Sequence, residues 1–228
     1  NDTKNDFFFV RRENEKDIAA TVAALVTERL PKTYGNGIRE EIQIITPSRK
    51  GVAGTEILNE RLRNVQNPRS QDKKEKKVRD ITFREGDKVM QIRNNYSIEW
   101  TRAGEEGEGM FNGDIGVIET IDNVNEKMYI NFDGKLTEYS YDELDDIEHA
   151  YAITIHKSQG SEYPIVILPL GSVPFPLLSR NLLYTAVTRA QSIVIVVGRE
   201  DALRTMVENN RQSMRYTGLA YWLRERQA

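Results

Sequence analysis

The sequence predicts an α/β fold in which a parallel-sheet domain carries an inserted, small antiparallel β-barrel. Three observations support this prediction. Strands and helices alternate over the first 62 residues. Residues 150–155, 165–168 and 193–197 are continuous apolar runs, typical of parallel strands buried on both faces. Between these two parts lie short segments of alternating polarity separated by turns, which are typical of an antiparallel sheet.

The first part of the chain predicts the order strand, helix, strand, helix. Residues 7–10 are a short apolar run, and residues 42–46 are a β-rich run closed by Pro47. Apolar residues at helical spacing predict a first helix that ends at Pro31 and a second one around residues 57–62. After the barrel, helices are expected over three further stretches: residues 180–189, residues 202–207 and a terminal stretch around residues 219–223.

The middle of the chain predicts a linker and the inserted barrel. Residues 65–82 are rich in Asn, Pro, Gln and cations and have too little apolar content to pack alone, which favours a linker or mobile loop. Residues 83–147 then form the barrel. Its expected strands are residues 87–93, 114–121, 127–132 and 135–141. The parallel-sheet domain is therefore discontinuous, with residues 1–64 and 148–228 on either side of the insert.

Composition excludes several classes of protein. The 228 residues contain no cysteine and two histidines, His149 and His156, which excludes a disulfide framework and a multi-histidine metal site, so we predict no metal site. No apolar run approaches the ~20 residues of a membrane span, and a cytoplasmic protein is expected. With a net charge of −3, any contact with nucleic acid must be local or shared with another domain.

The chain lacks the loop that binds nucleotide phosphates in P-loop enzymes. The Gly134-Lys135 pair has Tyr129 where that motif requires glycine and Leu136 where it requires Ser or Thr. Residues 133–134 are therefore expected to form a hairpin turn.

Three polar segments stand out because they border buried strands, where parallel α/β sheets place ligand contacts. They are residues 45–51, 152–162 and 180–190. Taken singly, the first is compatible with an ordinary strand exit and the third with a plain amphipathic helix. The second places a His, a Lys, hydroxyls, a Gln and a Glu around Gly160, which favours a functional role.

In order and spacing the three segments resemble motifs IV, V and VI of superfamily 1 DNA helicases of the RecD/TraA-like group. The matching strings are T-P-S-R-K-G, A-Y-A-I-T-I-H-K-S-Q-G-S-E and R-N-L-L-Y-T-A-V-T-R-A. The resemblance implies a RecA-like second motor domain with an SH3-like barrel. It also implies that the chain is the C-terminal half of an ATP-dependent 5′-3′ DNA helicase similar to exodeoxyribonuclease V alpha. Without the P-loop domain, this half is expected to be inactive.

The same resemblance implies a nucleotide site. Arg189 would be the arginine finger that stabilises charge on the γ-phosphate. A surface salt bridge at a helix end is the alternative for Arg189, and core packing is the alternative for Tyr184. The other residues implied to bind nucleotide are Arg49 or Lys50, between which the sequence does not decide, with Gly160, Glu162 and Tyr184.

A path for single-stranded DNA is implied as well. Thr154 and His156 would face a DNA phosphate, although a histidine satisfied in the core is the alternative for His156. In the barrel, Arg93, Asn95, Tyr96 and Trp100 combine cations, amides and aromatic rings as single-strand platforms do, with barrel packing as the equal alternative. The cations between Lys73 and Arg79 either track phosphates or form a solvated loop.

The implied ligands and partners are those of a complete motor. An N-terminal RecA-like domain of the same parent chain would hold ATP with Mg²⁺, and this domain and the present chain would bind single-stranded DNA together. No membrane is involved, and the barrel could bind a protein partner. The rival function is a non-catalytic interaction module on an α/β scaffold. A free-standing hydrolase using His156 with Ser158 or Ser161 as the nucleophile is disfavoured, because no recognisable motif positions an acid to orient the histidine.

Overall fold

The computed structural model describes residues 5–210, so the terminal helix expected around residues 219–223 lies outside the described residues. Six helices and fourteen strands are formed in this part of the chain. The helices are α1 (Glu15–Ala24), α2 (Leu30–Tyr34), α3 (Ile38–Glu41), α4 (Thr55–Gln66), α5 (Arg180–Val187) and α6 (Glu200–Glu208). The strands are β1 (Phe7–Arg11), β2 (Ile42–Thr46), β3 (Glu75–Val78), β4 (Ile81–Arg84), β5 (Lys88–Gln91), β6 (Asn95–Arg102), β7 (Glu105–Met110), β8 (Ile115–Asp122), β9 (Lys127–Phe132), β10 (Lys135–Ser140), β11 (Ile147–His149), β12 (Ala152–Thr154), β13 (Tyr163–Leu170) and β14 (Ala190–Gly198).

The parallel sheet combines strands from both ends of the chain. Its order is β1-β14-β13-β2-β12, and every pairing in it is parallel. All five residues of β2 are buried, as are the last six of β13, because apolar clusters cover both faces of the sheet. The predicted parallel sheet is therefore confirmed.

The first predicted helix extends beyond its expected end. A π-helical turn, Leu25–Arg29, joins α1 to α2, and Pro31 lies in the first turn of α2. Pro31 has no N–H to donate to the Thr27 carbonyl four residues earlier, and that carbonyl instead accepts from Arg39 Nη2 at 2.9 Å. The helix therefore ends at Tyr34, before Gly35, which has a φ of 93°.

The antiparallel sheet has seven strands in the order β11-β5-β8-β9-β10-β6-β7 and its own apolar core, which includes Phe83, Ile130 and Tyr139. The four strands expected in the barrel are present. Three more were not expected: the short strand β11 and the two strands of the β6–β7 hairpin. The sequences of β6 and β7 are mainly polar because much of this hairpin is exposed to solvent, so they lack the apolar alternation that marks the expected strands.

Residues 65–82 differ from the linker that the sequence predicted. Helix α4 continues to Gln66, and β3 pairs with β4 in an antiparallel hairpin. The charged side chains are held by polar contacts instead of an apolar core: Arg84 Nη2 lies 2.6 Å from Glu75 Oε1, and Lys76 Nζ lies 3.7 Å from the ring centroid of Tyr141. Composition alone did not anticipate these contacts. The domain boundaries themselves stay a prediction.

A buried carboxylate, Asp87, ties the barrel to the parallel-sheet domain. Its side chain is fully buried, between α4 and the start of β5. Its hydrogen-bond partners are Arg63 Nε at 2.8 Å, Asn67 Nδ2 at 2.7 Å, the Arg84 backbone N at 2.8 Å, Tyr151 OH at 3.1 Å and His149 Nε2 at 3.1 Å. Burial alone would raise the pKa of Asp87, but the hydrogen bonds from His149 and Arg63 hold that pKa below its usual range.

Among residues 5–210, no helix is long and apolar enough to cross a membrane.

Candidate functional site

Two polar segments meet at the carboxyl edge of the parallel sheet. Strands β2 and β12 are neighbours, and Thr46 lies opposite Thr154 at their ends. Arg49 follows Thr46 by three residues, and Lys157 follows Thr154 by three residues. The parallel pairing therefore brings residues from the first and second polar segments together, as their positions after buried strands predict.

The segment after β12 is a turn that presents His156 to solvent. The Thr154 hydroxyl accepts a hydrogen bond from the Lys157 backbone N at 3.3 Å, and the buried Ser158 hydroxyl donates to the Ile155 carbonyl at 2.8 Å. His156 is exposed, so the alternative of a core histidine is wrong. The Ser158 hydroxyl is buried in this turn, which disfavours a role as a nucleophile.

The cations at this edge contact a carboxylate of the barrel. Glu148, in β11, lies with one oxygen 2.7 Å from Lys157 Nζ and the other 3.5 Å from Arg49 Nη2. The adjoining cleft, lined by Arg49, Thr154 and Lys157 among others, holds about 20 Å³. That is room for a water molecule but not for a nucleotide. Lys50 is exposed beside this cluster.

The third polar segment lies at the amino edge of the sheet. Arg189 directly precedes β14, and its backbone carbonyl accepts from the Tyr163 backbone N at 2.8 Å. Its guanidinium donates through Nη1 to the Ser161 carbonyl at 3.0 Å and through Nε to the Thr185 carbonyl at 3.3 Å. No carboxylate within residues 5–210 forms an ion pair with it. The salt-bridge alternative for Arg189 thus finds no partner in the described part of the chain.

Three other predicted nucleotide residues are open to solvent near Arg189: Tyr184 lies five residues before it, and Gly160 and Glu162 flank Ser161, whose carbonyl it contacts. Tyr184, on α5, is 70% exposed, so the core-packing alternative for it is wrong. Glu162 is exposed, directly before β13. Gly160 has a φ of 90°, a backbone conformation that favours glycine, and a Cβ there would meet nothing within 4 Å. An approaching ligand therefore finds free space at this turn.

The structure separates residues that the resemblance assigned to one nucleotide. Tyr163 pairs with Ala190 at the amino edge, whereas Arg49 follows the carboxyl edge. The seven steps from Tyr163 to Leu170 along β13 span roughly 23 Å at about 3.3 Å per residue. Arg49 therefore lies with Thr154 and Lys157 and far from Arg189, which the order of motifs in the sequence could not show.

The predicted barrel residues form an exposed surface at the β6–β7 hairpin. Tyr96 is 68% exposed, and its ring makes an edge contact with Phe111 at 5.8 Å between centroids. Phe111, 44% exposed, was missed because its partner lies on a strand that the sequence did not predict. Asn95 Oδ1 accepts from the Ser97 hydroxyl at 2.9 Å, and Arg93 Nη1 lies 3.2 Å from Asp146 Oδ1.

Trp100, in contrast, packs within the hairpin. A Cβ added at Gly107 would lie 2.3 Å from the Trp100 ring, and Lys135 Nζ lies 4.6 Å from the ring centroid. The ring is thus covered on the Gly107 side, which supports the packing alternative for this residue.

Comparison with known proteins adds to this geometry. Residues 58–132 match the family model of the ATP-dependent RecD-like DNA helicase SH3 domain, and residues 149–197 match that of the UvrD-like helicase C-terminal domain. The chain is a relative of the RecD-like helicases. The resemblance stated from the three motifs is thereby confirmed.

Two curated relatives show the extent of the match. The ATP-dependent RecD2 DNA helicase of Deinococcus radiodurans is 32% identical over 201 residues, which cover 88% of this chain and 25% of that protein. The RecBCD enzyme subunit RecD of Mycolicibacterium smegmatis is 42% identical over 123 residues, 54% of this chain and 21% of that protein. The chain thus spans about a quarter or less of the length of these RecD-like relatives.

A solved structure confirms the fold class. The Pif1 helicase from Bacteroides, in complex with ADP-AlF3 and single-stranded DNA, superposes with a TM-score of 0.50 at 16% identity. The superposition covers 93% of this chain and 50% of that one. This chain therefore shares the fold of that helicase structure, with a RecA-like parallel sheet, and it carries an SH3-like domain.

Proposed function

We propose that this chain is the second motor domain of an ATP-dependent 5′-3′ DNA helicase of the RecD-like group. One observation carries the proposal: the segment from Thr154 to Ser161 links the two edges of the sheet. It begins with Thr154 and His156 at the carboxyl edge, and it ends at the Ser161 carbonyl that accepts from Arg189 at 3.0 Å. A shift of this segment on DNA binding would move a contact of Arg189. The polarity rests on the resemblance alone.

The amino edge would form one side of the nucleotide site. ATP bound there would supply the γ-phosphate that is hydrolysed. A guanidinium that keeps its charge free of a carboxylate suits a polyphosphate, and Arg189 meets this condition within the described residues. Gly160 leaves open space, Glu162 would accept hydrogen bonds from the ribose, and Tyr184 would pack near the nucleotide.

The carboxyl edge would form part of the single-stranded DNA path. Thr154, His156 and Lys157 supply a hydroxyl, an imidazole and an ammonium group on one turn. We assign Arg49 to this path and not to the triphosphate, because it lies at this edge. Such groups bind phosphate oxygens and fix the strand without reading its sequence.

A P-loop domain would complete the site. The sequence holds no G-x-x-x-x-G-K-[ST] motif, and no three His, Asp or Glu side chains within residues 5–210 are placed to hold a metal ion. We therefore propose that an N-terminal RecA-like domain of the parent chain holds the phosphates and Mg²⁺. The motor would act on DNA in the cytoplasm.

Replacing Thr154 and His156 together by alanine in the complete helicase should abolish the stimulation of ATP hydrolysis by single-stranded DNA and leave the basal rate. The reason is that these groups contact DNA and not nucleotide. Steady-state ATPase assays with and without oligothymidine measure both rates. The control is Thr33→Ala, an exposed threonine on α2 whose hydroxyl donates to the Arg29 carbonyl of the same helical stretch. Full stimulation in the double variant would contradict the proposed path.

Replacing Tyr96 by alanine should weaken binding of single-stranded DNA by about 5-fold to 150-fold, because one stacked base contributes ~1–3 kcal/mol. The slope of log K against log salt should not change, since no phosphate contact is lost. Fluorescence anisotropy at several salt concentrations measures both quantities, with Tyr34→Ala, which replaces a 53% exposed tyrosine on α2, as the control. Unchanged DNA affinity would instead favour the rival function, a protein-binding surface on the barrel.

A further inference from the structure

Glu148 bridges the barrel and the motor sheet. It lies in β11, where it pairs with Met90 of β5, and its side chain is 29% exposed. One carboxylate oxygen lies 2.7 Å from Lys157 Nζ, and the other lies 3.5 Å from Arg49 Nη2. A single barrel residue therefore contacts the cations that follow two neighbouring strands of the parallel sheet.

These two cations have no other acidic partner within residues 5–210. With Glu148 between them, the adjoining cleft of about 20 Å³ admits no more than a water molecule. In the structure, then, the Glu148 carboxylate occupies the space between the two cations and pairs with the positive charge that would otherwise bind an anion. Glu148 therefore occupies the position from which one anion could bridge both cations.

We propose that Glu148 occupies the position of a DNA phosphate and competes with the strand for Arg49 and Lys157. This inference rests on the proposed function, because it takes the carboxyl edge as the DNA path. A phosphodiester resembles a carboxylate in carrying one negative charge shared by two oxygens. The ion pairs are partly exposed and therefore weak enough for a strand to displace. Glu148 is thus a positioning residue: it orients both cations in the free protein and lowers affinity for DNA.

The test compares Glu148→Gln with Asp142→Asn in the 228-residue chain. Both variants remove one negative charge, but Asp142 is an exposed residue that forms none of the ion pairs described for residues 5–210. Binding of a fluorescent oligothymidine is measured by anisotropy across a salt series. Glu148→Gln should bind about 3-fold to 10-fold more tightly. The slope of log K against log salt should steepen by about 0.7 for each additional DNA phosphate that this variant binds, whereas Asp142→Asn should change little.

A second background makes the test specific to the two cations. In a Lys157→Gln, Arg49→Gln background, adding Glu148→Gln should not raise the affinity for DNA, because the carboxylate that it removes no longer pairs with either cation. Thermal unfolding and circular dichroism check that each variant is folded.

Three results would overturn the inference: equal increases in affinity from Glu148→Gln and Asp142→Asn, weaker binding by Glu148→Gln, or an increase that persists without the cations. The proposed function fails in a different way. If Thr154→Ala and His156→Ala leave oligothymidine affinity unchanged, the carboxyl edge is not the DNA path, and both ideas are lost.

Discussion

Replacing Arg189 by alanine in the helicase that we propose contains this chain should lower kcat for ATP hydrolysis by about 10³-fold to 10⁵-fold, as loss of an arginine finger does in GTPases. The affinity for ATP should fall far less, because a finger acts mainly on charge that develops in the transition state. Steady-state kinetics give kcat, and equilibrium binding of a fluorescent ATP analogue gives the affinity.

Two variants control this result. Arg189→Lys should not restore the rate, because an ammonium lacks the planar fork of the guanidinium. Arg180→Ala removes an exposed arginine from α5, the helix that precedes Arg189; Arg180 donates to the Val207 carbonyl, and its loss should leave kcat within about threefold. Equal losses of ATP affinity and kcat in Arg189→Ala would show a ground-state contact and contradict the assignment.

Replacing Asp87 by alanine should destabilise the chain by about 3–5 kcal/mol, since it leaves the Arg63 guanidinium buried without its partner. Asp87→Asn should be destabilising as well, because a neutral amide accepts fewer of the five hydrogen bonds. Urea unfolding followed by tyrosine and tryptophan fluorescence measures the free energy of unfolding. The exposed Asp142→Asn is the matched control and should change it by less than about 0.5 kcal/mol.

The same carboxylate gives stability a pH dependence. Its pKa is lower in the folded than in the unfolded chain, where an aspartate titrates near 3.9. The stabilisation is therefore fully present above about pH 4 and is lost as the pH falls below that value. Asp87→Asn should remove this part of the acid sensitivity. An acid transition identical in both proteins would contradict the role given to Asp87.

The sequence predicted the parallel sheet well because its strands are apolar over their whole length, as in β2 and β13. It did not predict β6 and β7, since neighbouring residues such as Glu105 and Glu106, at the start of β7, are both exposed and give no alternation of polar and apolar side chains. Strand propensity and hydrophobic periodicity in a sequence arise from burial of side chains, so an exposed hairpin gives little of either signal.

The site was predicted in its parts but not in its arrangement. Arg189, Thr154 and His156 were found from their motifs, whereas the distance between Arg49 and Arg189 follows from strand register. Glu148 and Asp87 were not singled out, because their partners lie in distant parts of the chain: Arg49 is 99 positions before Glu148, and Tyr151 is 64 positions after Asp87. Such contacts exist only once the barrel has docked on the parallel sheet.

ATP hydrolysis by the 228-residue chain alone, with and without oligothymidine, tests the central claim that this chain is one side of a two-domain motor. We predict no turnover above that of a protein-free blank, because in the proposed motor another domain supplies the residues that hold the β- and γ-phosphates and Mg²⁺. DNA-stimulated turnover that co-purifies with the chain and is lost in the Arg189→Ala variant would contradict the account.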